Sequence, residues 1–186
     1  MKLADFLKQE IQLPIETIQS IDNLWKYEEL PKGAHLLKEG SLSQQAFFVE
    51  KGLLRLYYLK DGKDITHFFF SENNIYVPIE NVFLNLPYPY NLELLENSII
   101  RTVDFPIIKR QLDENIKLYH FVLHVAVSTI KQLAEHLYAL QFQSAQERYK
   151  LLLKNHPKLL LRSPLGHIAS YLNITQSTLS KIRASV

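Results

Sequence analysis

The stretch Pro164–Arg183, PLGHIASYLNITQSTLSKIR, decides how the rest of the chain is read. Proline holds φ near the helical value, so Pro164 suits the opening of a helix and Ser163 before it suits a cap. Leu165, Ile168, Ala169 and Leu172 then fall on one face at helical spacing. Ala169 is small where a second helix must cross closely. Asn173-Ile174 reads as the turn, because asparagine tolerates the left-handed conformation. Thr175 is placed to cap a second helix, Gln176–Arg183, whose Leu179 and Ile182 face inward and whose other face is polar and basic.

Two short helices about a tight turn, with one outward face of this chemistry, place the second helix in a DNA major groove. Gln176 matches an adenine edge and Lys181 the acceptors of guanine. Thr175, Thr178 and Arg183 are better placed for phosphates, and Ser177 and Ser180 complete the DNA-facing set. The plainer alternative is a helical hairpin in a small bundle. Charge distribution favours the polyanion. The net charge is only +2, yet residues 141–186 hold seven Lys/Arg and one acid, Glu147, against fourteen Lys/Arg and eighteen acids before them.

Upstream, Ser144-Ala-Gln-Glu147 is a capping-box pattern for a helix over 144–154 that stops at Asn155-His156-Pro157. Before it a long helical stretch runs from Asp104-Phe105-Pro106 to about Leu140. Ile116, His120, Leu123, Val127, Ile130, Ala134 and Leu137 recur on it at threes and fours, the pattern of a seam between helices, and predict a homodimer. Residues 31–105 are different. Short apolar runs such as Leu53–Leu59 and Ile65–Phe70 alternate with turn formers, and Asp61-Gly62 is a hairpin signal. Many short strands at this spacing predict an all-β roll. Residues 1–30 read as helical, in two pieces separated by Pro14. The expected fold is α+β, divided as a β-roll domain over 1–110, a dimerisation helix over 111–141 and a helix-turn-helix domain over 142–186.

On these residues the chain resembles the Crp/Fnr superfamily of bacterial transcription regulators, and within it the short forms common in Bacteroidetes. IASYLNITQSTLSKIR (Ile168–Arg183) carries most of the resemblance. Arg148-Tyr149, His156-Pro157, LPKGAHLLKEG (Leu30–Gly40) and FFVEKGLLRLYYLKDGKDIT (Phe47–Thr66) extend it to about residues 25–183. The resemblance implies a cyclic-nucleotide-binding-like roll, a dimer helix at the seam, and base reading by Gln176, Ser177 and Lys181. Its implied partners are a roughly palindromic double-stranded DNA, a second copy of the chain and RNA polymerase. Asn173 departs from the usual glycine of the turn. With three residues after Arg183, the expectation is a helix-turn-helix without the β-hairpin wing of longer relatives.

The sensor end departs further. Family members that bind cyclic nucleotides hold the phosphate with a Gly-Glu pair and an Arg-Ser pair. The stretch VPIENVFLNLPYPYNLELLEN (Val77–Asn97) has no Gly, Arg or Ser, so cyclic AMP is not expected. Glu80, Phe83, Tyr88 and Tyr90 are candidates for the pocket of an unidentified effector, against the simpler reading that the aromatics pack a closed roll. The absence of Cys excludes thiolate metal sites and iron–sulfur ligation. His120 and His124 lie one turn apart but no third ligand follows at a telling spacing, so neither a metal nor a cofactor is expected. No phosphate loop or nucleophile motif marks an enzyme. With no signal-peptide pattern or membrane-length apolar run, the cytoplasm is the expected location. The competing function is a roll that binds a small molecule or a protein and has kept a degenerate, non-DNA-binding helix-turn-helix.

Overall fold

The structure is a computed structural model and describes residues 1–185. Helices α1 (Leu3–Glu10) and α2 (Ile15–Asn23) precede eight strands: β1 (Lys26–Leu30), β2 (His35–Leu37), β3 (Gln45–Lys51), β4 (Leu54–Lys60), β5 (Lys63–Phe70), β6 (Ile75–Tyr76), β7 (Asn91–Leu94) and β8 (Ser98–Asp104). Helix α3 (Ile79–Leu84) interrupts them between β6 and β7. Six helices follow: α4 (Phe105–Glu114), α5 (Ile116–Phe142), α6 (Ala145–Asn155), α7 (Leu159–Arg162), α8 (Leu165–Tyr171) and α9 (Gln176–Ala184). The fold is α+β, a β-roll followed by a helical region.

The strands form two antiparallel sheets, β1-β8-β3-β6 and β2-β7-β4-β5. Side chains alternate across a strand, and β3 uses both faces. Phe47 and Val49 point into the roll with Leu37, Leu54, Leu92, Leu94 and Ile100. Phe48 points the other way, into a cluster with Leu3, Phe6, Ile18, Trp25, Ile108, Leu118 and Phe121. That second cluster seats α1, α2, α4 and the start of α5 on the outer face of the first sheet. Asp61 and Gly62 both have positive φ, 52° and 70°, and join β4 to β5 as a two-residue hairpin.

Three local expectations are corrected. Residues 26–30 form a strand, not the end of a helical segment. They pair with β8 from Lys26↔Thr102 to Leu30↔Ser98, and as a largely exposed edge strand they carry little of the alternation that would announce one. The long helical stretch breaks at Asn115, which leaves helical geometry (φ −133°) and caps α5 by accepting from the N–H groups of Lys117 and Leu118. The cap position of α8 is Pro164, not Ser163, whose buried hydroxyl has no partner.

Gly52, in the turn between β3 and β4, has φ +122°. A Cβ there would collide with the Ser98 side chain and come within 3.1 Å of Ser98 Cα. Strain of this kind costs about 1–3 kcal/mol. Gly52→Ala should therefore lower the unfolding free energy by about 2 kcal/mol, read by urea denaturation through the fluorescence of Trp25, the chain's single tryptophan. An unchanged midpoint would show that the turn relaxes freely.

Candidate nucleic-acid interface

Helices α8 and α9 meet across a tight turn. Asn173 takes the left-handed conformation (φ 52°), its N–H donates to Ser170 O, and the Ile174 N–H donates to Ala169 O at 3.0 Å. Thr175 Oγ1 accepts from the Thr178 N–H at 3.1 Å and caps α9. Leu179 is fully buried against Ile168, Ala169 and Leu172. Thr175, Gln176, Ser177, Ser180, Lys181 and Arg183 are exposed together, and Thr178 is half-buried. Lys181 and Arg183 lie in the last turn of α9, where positive charge also suits the helix dipole. The Thr175 hydroxyl is engaged with Ser177 and Thr178, so it serves the cap before any ligand.

Two residues that the sequence motif did not single out shape this surface. Arg148 donates from Nε to Leu172 O at 3.0 Å and from Nη1 to Gln143 O at 2.6 Å, tying α6 to the end of α8. Gly166 lies under the Gln176 side chain: a Cβ at 166 would sit 2.9 Å from Gln176 Nε2. A residue without a side chain at 166 thus lets the Gln176 amide rest over α8.

The C-terminal helices dock on their own roll. Leu53 and Leu95 of the roll are buried in one cluster with Tyr149, Leu152, Leu159, Ile168 and Leu172. Arg162 donates to both oxygens of Glu72 and both of Glu96, at 2.7 to 3.1 Å. The Thr66 N–H, on the free edge of β5, donates to Ser170 Oγ at 2.9 Å. The Tyr171 ring packs edge-on to Phe69 and stacks on His136 of α5, and burial raises its hydroxyl pKa to about 12.

Of the four candidate pocket residues, Tyr88 and Tyr90 meet edge-on and the Glu80 charge reaches both, while Phe83 stands apart. Tyr88 is buried inside the roll, hydrogen-bonded to Tyr76, and burial pushes both hydroxyls well above the ordinary tyrosine range. Tyr90 stacks on His67. Phe83 is 62% exposed on the outside and packs edge-on to Phe105, and Glu80 is half-buried on α3. Asn81, which was not anticipated, is the fixed point of this segment. Its amide donates to Ser41 O and Leu86 O, and its Oδ1 accepts from the Ser43 N–H. The arginines of the roll strands are already engaged. Arg55 is buried and donates to Glu93, Asp64 and Thr66, and Arg101 donates to Glu50.

Along α5 the seam residues Ile116, His120, Leu123, Val127, Ile130, Ala134 and Leu137 are all exposed in the single chain, with Ile130 at 65%. A continuous apolar stripe of this kind is unusual on a monomer. Among the described residues no group of three or more His, Asp or Glu is placed to hold a metal, and no helix is long and apolar enough to cross a membrane.

Comparison with known proteins agrees with this architecture. Residues 27–115 match the family of cyclic nucleotide-binding domains. No curated protein sequence matches the chain. A CooA variant from Carboxydothermus hydrogenoformans superposes with a TM-score of 0.75 at 17% identity, over 100% of this chain and 84% of the other. FixK2 from Bradyrhizobium japonicum gives 0.74 at 17% identity, over 87% and 83%. The c-di-GMP-responsive global regulator CLP from Xanthomonas campestris gives 0.71 at 10% identity, over 92% and 91%. The β-roll has the fold of a cyclic nucleotide-binding domain, and the chain as a whole shares its fold with these three proteins.

The Arg162 contact carries a prediction. Burial raises the Glu72 pKa, but the Arg162 guanidinium and the Gly52 N–H outweigh it and hold the carboxyl below its ordinary value. The ionised form is therefore favoured on docking. That contribution is complete above the ordinary carboxylate range and is lost as pH falls through the depressed value. At neutral pH Arg162→Met should weaken docking by about 1 kcal/mol, given the partial exposure of the network. Amide exchange in α7 and α8 should rise about fivefold while β3 is unchanged. Equal exchange in both would mean that the ion pairs hold nothing in place.

Proposed function

We propose that the chain is a sequence-specific DNA-binding transcription regulator that works as a homodimer. The observation that carries this reading is the exposed polar and basic face of α9, set on a capped helix behind a left-handed turn. Gln176, Ser177 and Lys181 read base edges. Thr175, Thr178, Ser180 and Arg183 set the helix against phosphates. Two chains pair along the exposed stripe of α5, and each presents one α9 to a half-site of a roughly palindromic operator. The resemblance of Ile168–Arg183 supports reading the chain as a short Bacteroidetes-type regulator, with RNA polymerase as the further partner in this reading.

The roll is the sensor domain, and on this reading it does not take cyclic AMP. Tyr88 fills its interior, Asn81 fixes the segment where a phosphate cassette would sit, and Arg55 is committed to carboxylates. An anion would have to displace Asp64 or Glu93 from that arginine.

Selection from random DNA at several salt concentrations tests the reading. A consensus of two half-sites is expected, and the absence of any selected sequence would favour a degenerate helix-turn-helix. Gln176→Ala with Lys181→Ala should cost about 1–3 kcal/mol of discrimination at their positions while bulk binding to unrelated DNA falls less. Gly166→Ala should shift the preference at the Gln176 position alone, since it displaces that amide without touching the core. Ile130→Glu should convert the dimer to a monomer in light scattering, and a dimer that persists would move the interface elsewhere.

A further inference from the structure

Two groups of stacked rings flank the junction between the roll and the C-terminal helices. Tyr88 meets Tyr90 edge-on with centroids 5.7 Å apart. Tyr90 stacks on His67 at 5.4 Å, with the planes 10° apart. His136 of α5 stacks on Tyr171 of α8 at 4.3 Å and 9°. The strand that carries His67 is tied to α8 beside Tyr171, by the Thr66 N–H donating to Ser170 Oγ, and the His67 charge reaches His136. His67 owes its direction to a bulge: Leu56 faces Phe68 and Tyr57 faces Thr66, so His67 has no partner on β4. A bulge re-aims the side chain it frees, and this one aims at the place where roll, long helix and C-terminal helices meet.

We infer that these two stacks couple the roll to the C-terminal helices, with the His67–His136 pair as their proton-sensitive joint. When both imidazoles are neutral, each stack is kept and Tyr171 is held. When they charge, two half-buried cations face each other across the joint and Tyr171 is released, and with it the docking of α6–α9 on the roll.

The surroundings offer little to offset that repulsion. His67 faces Tyr90 from the loop before β7, Glu80 from α3 and His136 from α5; Glu80 is the acid whose charge reaches it. His136 faces Tyr171 from α8, His67 from β5 and Arg148 from α6, a third positive charge. The crevice beside it, about 590 Å³, is also lined by Lys131, Glu135 and His156. Burial is the main cause that holds both imidazoles below the ordinary value of 6.5. A depressed value in the docked state means that docking is at full strength above that ordinary value and weakens as pH falls below it. This window lies above the one set by Glu72, so the two responses are separable.

The absence of Cys allows two clean labels. Lys51→Cys on β3 and Lys154→Cys on α6 are both exposed. Spin labels there, diluted with unlabelled chains, read the distance within one chain. One narrow distribution is expected at about pH 7.5, and most chains should move to a longer, broader one at about pH 5.5. H67Q with H136Q should keep the narrow distribution at both values. Tyr171→Leu, which removes the far ring and keeps both histidines, should show the long distribution already at the higher pH. Trp25, in the cluster on the other side of the roll, should keep its emission throughout. An identical wild-type distribution at both pH values overturns the proposal. So does a histidine double variant that still responds, a Tyr171→Leu variant that stays narrow, or Trp25 emission that shifts in step with the distance. No DNA is present, so the outcome is independent of whether the DNA-binding reading holds.

Discussion

The C-terminal helices have no core that is theirs alone. About 45 residues bury too little apolar surface to stand securely by themselves. Here Leu53 and Leu95, at the end of the roll, form part of the floor on which Tyr149, Leu152, Leu159, Ile168, Leu172 and Leu179 pack. The direction of α9 is therefore set by the roll as well as by its own turn. The docking also serves the roll. Strand β5 ends a sheet, and an open strand edge is a liability. Ser170 takes up the Thr66 N–H there, and Tyr171 covers Phe69. Each half completes the other, which is the physical basis for any coupling between them.

Charge is distributed with the same economy. Of the seven basic side chains after residue 140, Arg148 and Arg162 are spent inside the protein, on backbone carbonyls and on Glu72 and Glu96. Lys150, Lys154, Lys158, Lys181 and Arg183 remain exposed. The positive surface is thus smaller than the raw count suggests, and it is carried by α6, α9 and the approach to α7. In the roll, Arg55 and Arg101 are likewise saturated by carboxylates. A buried arginine is costly unless each donor is met, and its partners leave no place for an incoming phosphate.

The parts of the fold legible in the sequence were those fixed by local chemistry. Asp61-Gly62 can make the tight hairpin because both residues accept positive φ. Asn173 and Thr175 define the turn and the cap of α9, and Ser144 with Glu147 makes both bonds of a capping box. What escaped depends on partners distant in sequence. Strand β1 exists because β8 offers an edge. The break at Asn115 is hidden because the apolar spacing runs through it. The fate of the pocket candidates could not be read, since alternation does not say whether Tyr88 lines a cavity or fills it, and Phe83 turns outward to meet Phe105. Gly166 and Arg148 gain their roles only once α6, α8 and α9 are packed together.

In the proposed dimer, two copies of α9 are held at a fixed separation by α5. Hydroxyl-radical footprinting on a duplex obtained by selection tests this most directly. Two protected patches on one face of the DNA, with centres about one helical turn or ~10 base pairs apart, are predicted. A single patch, or uniform weak protection at every sequence, would contradict it.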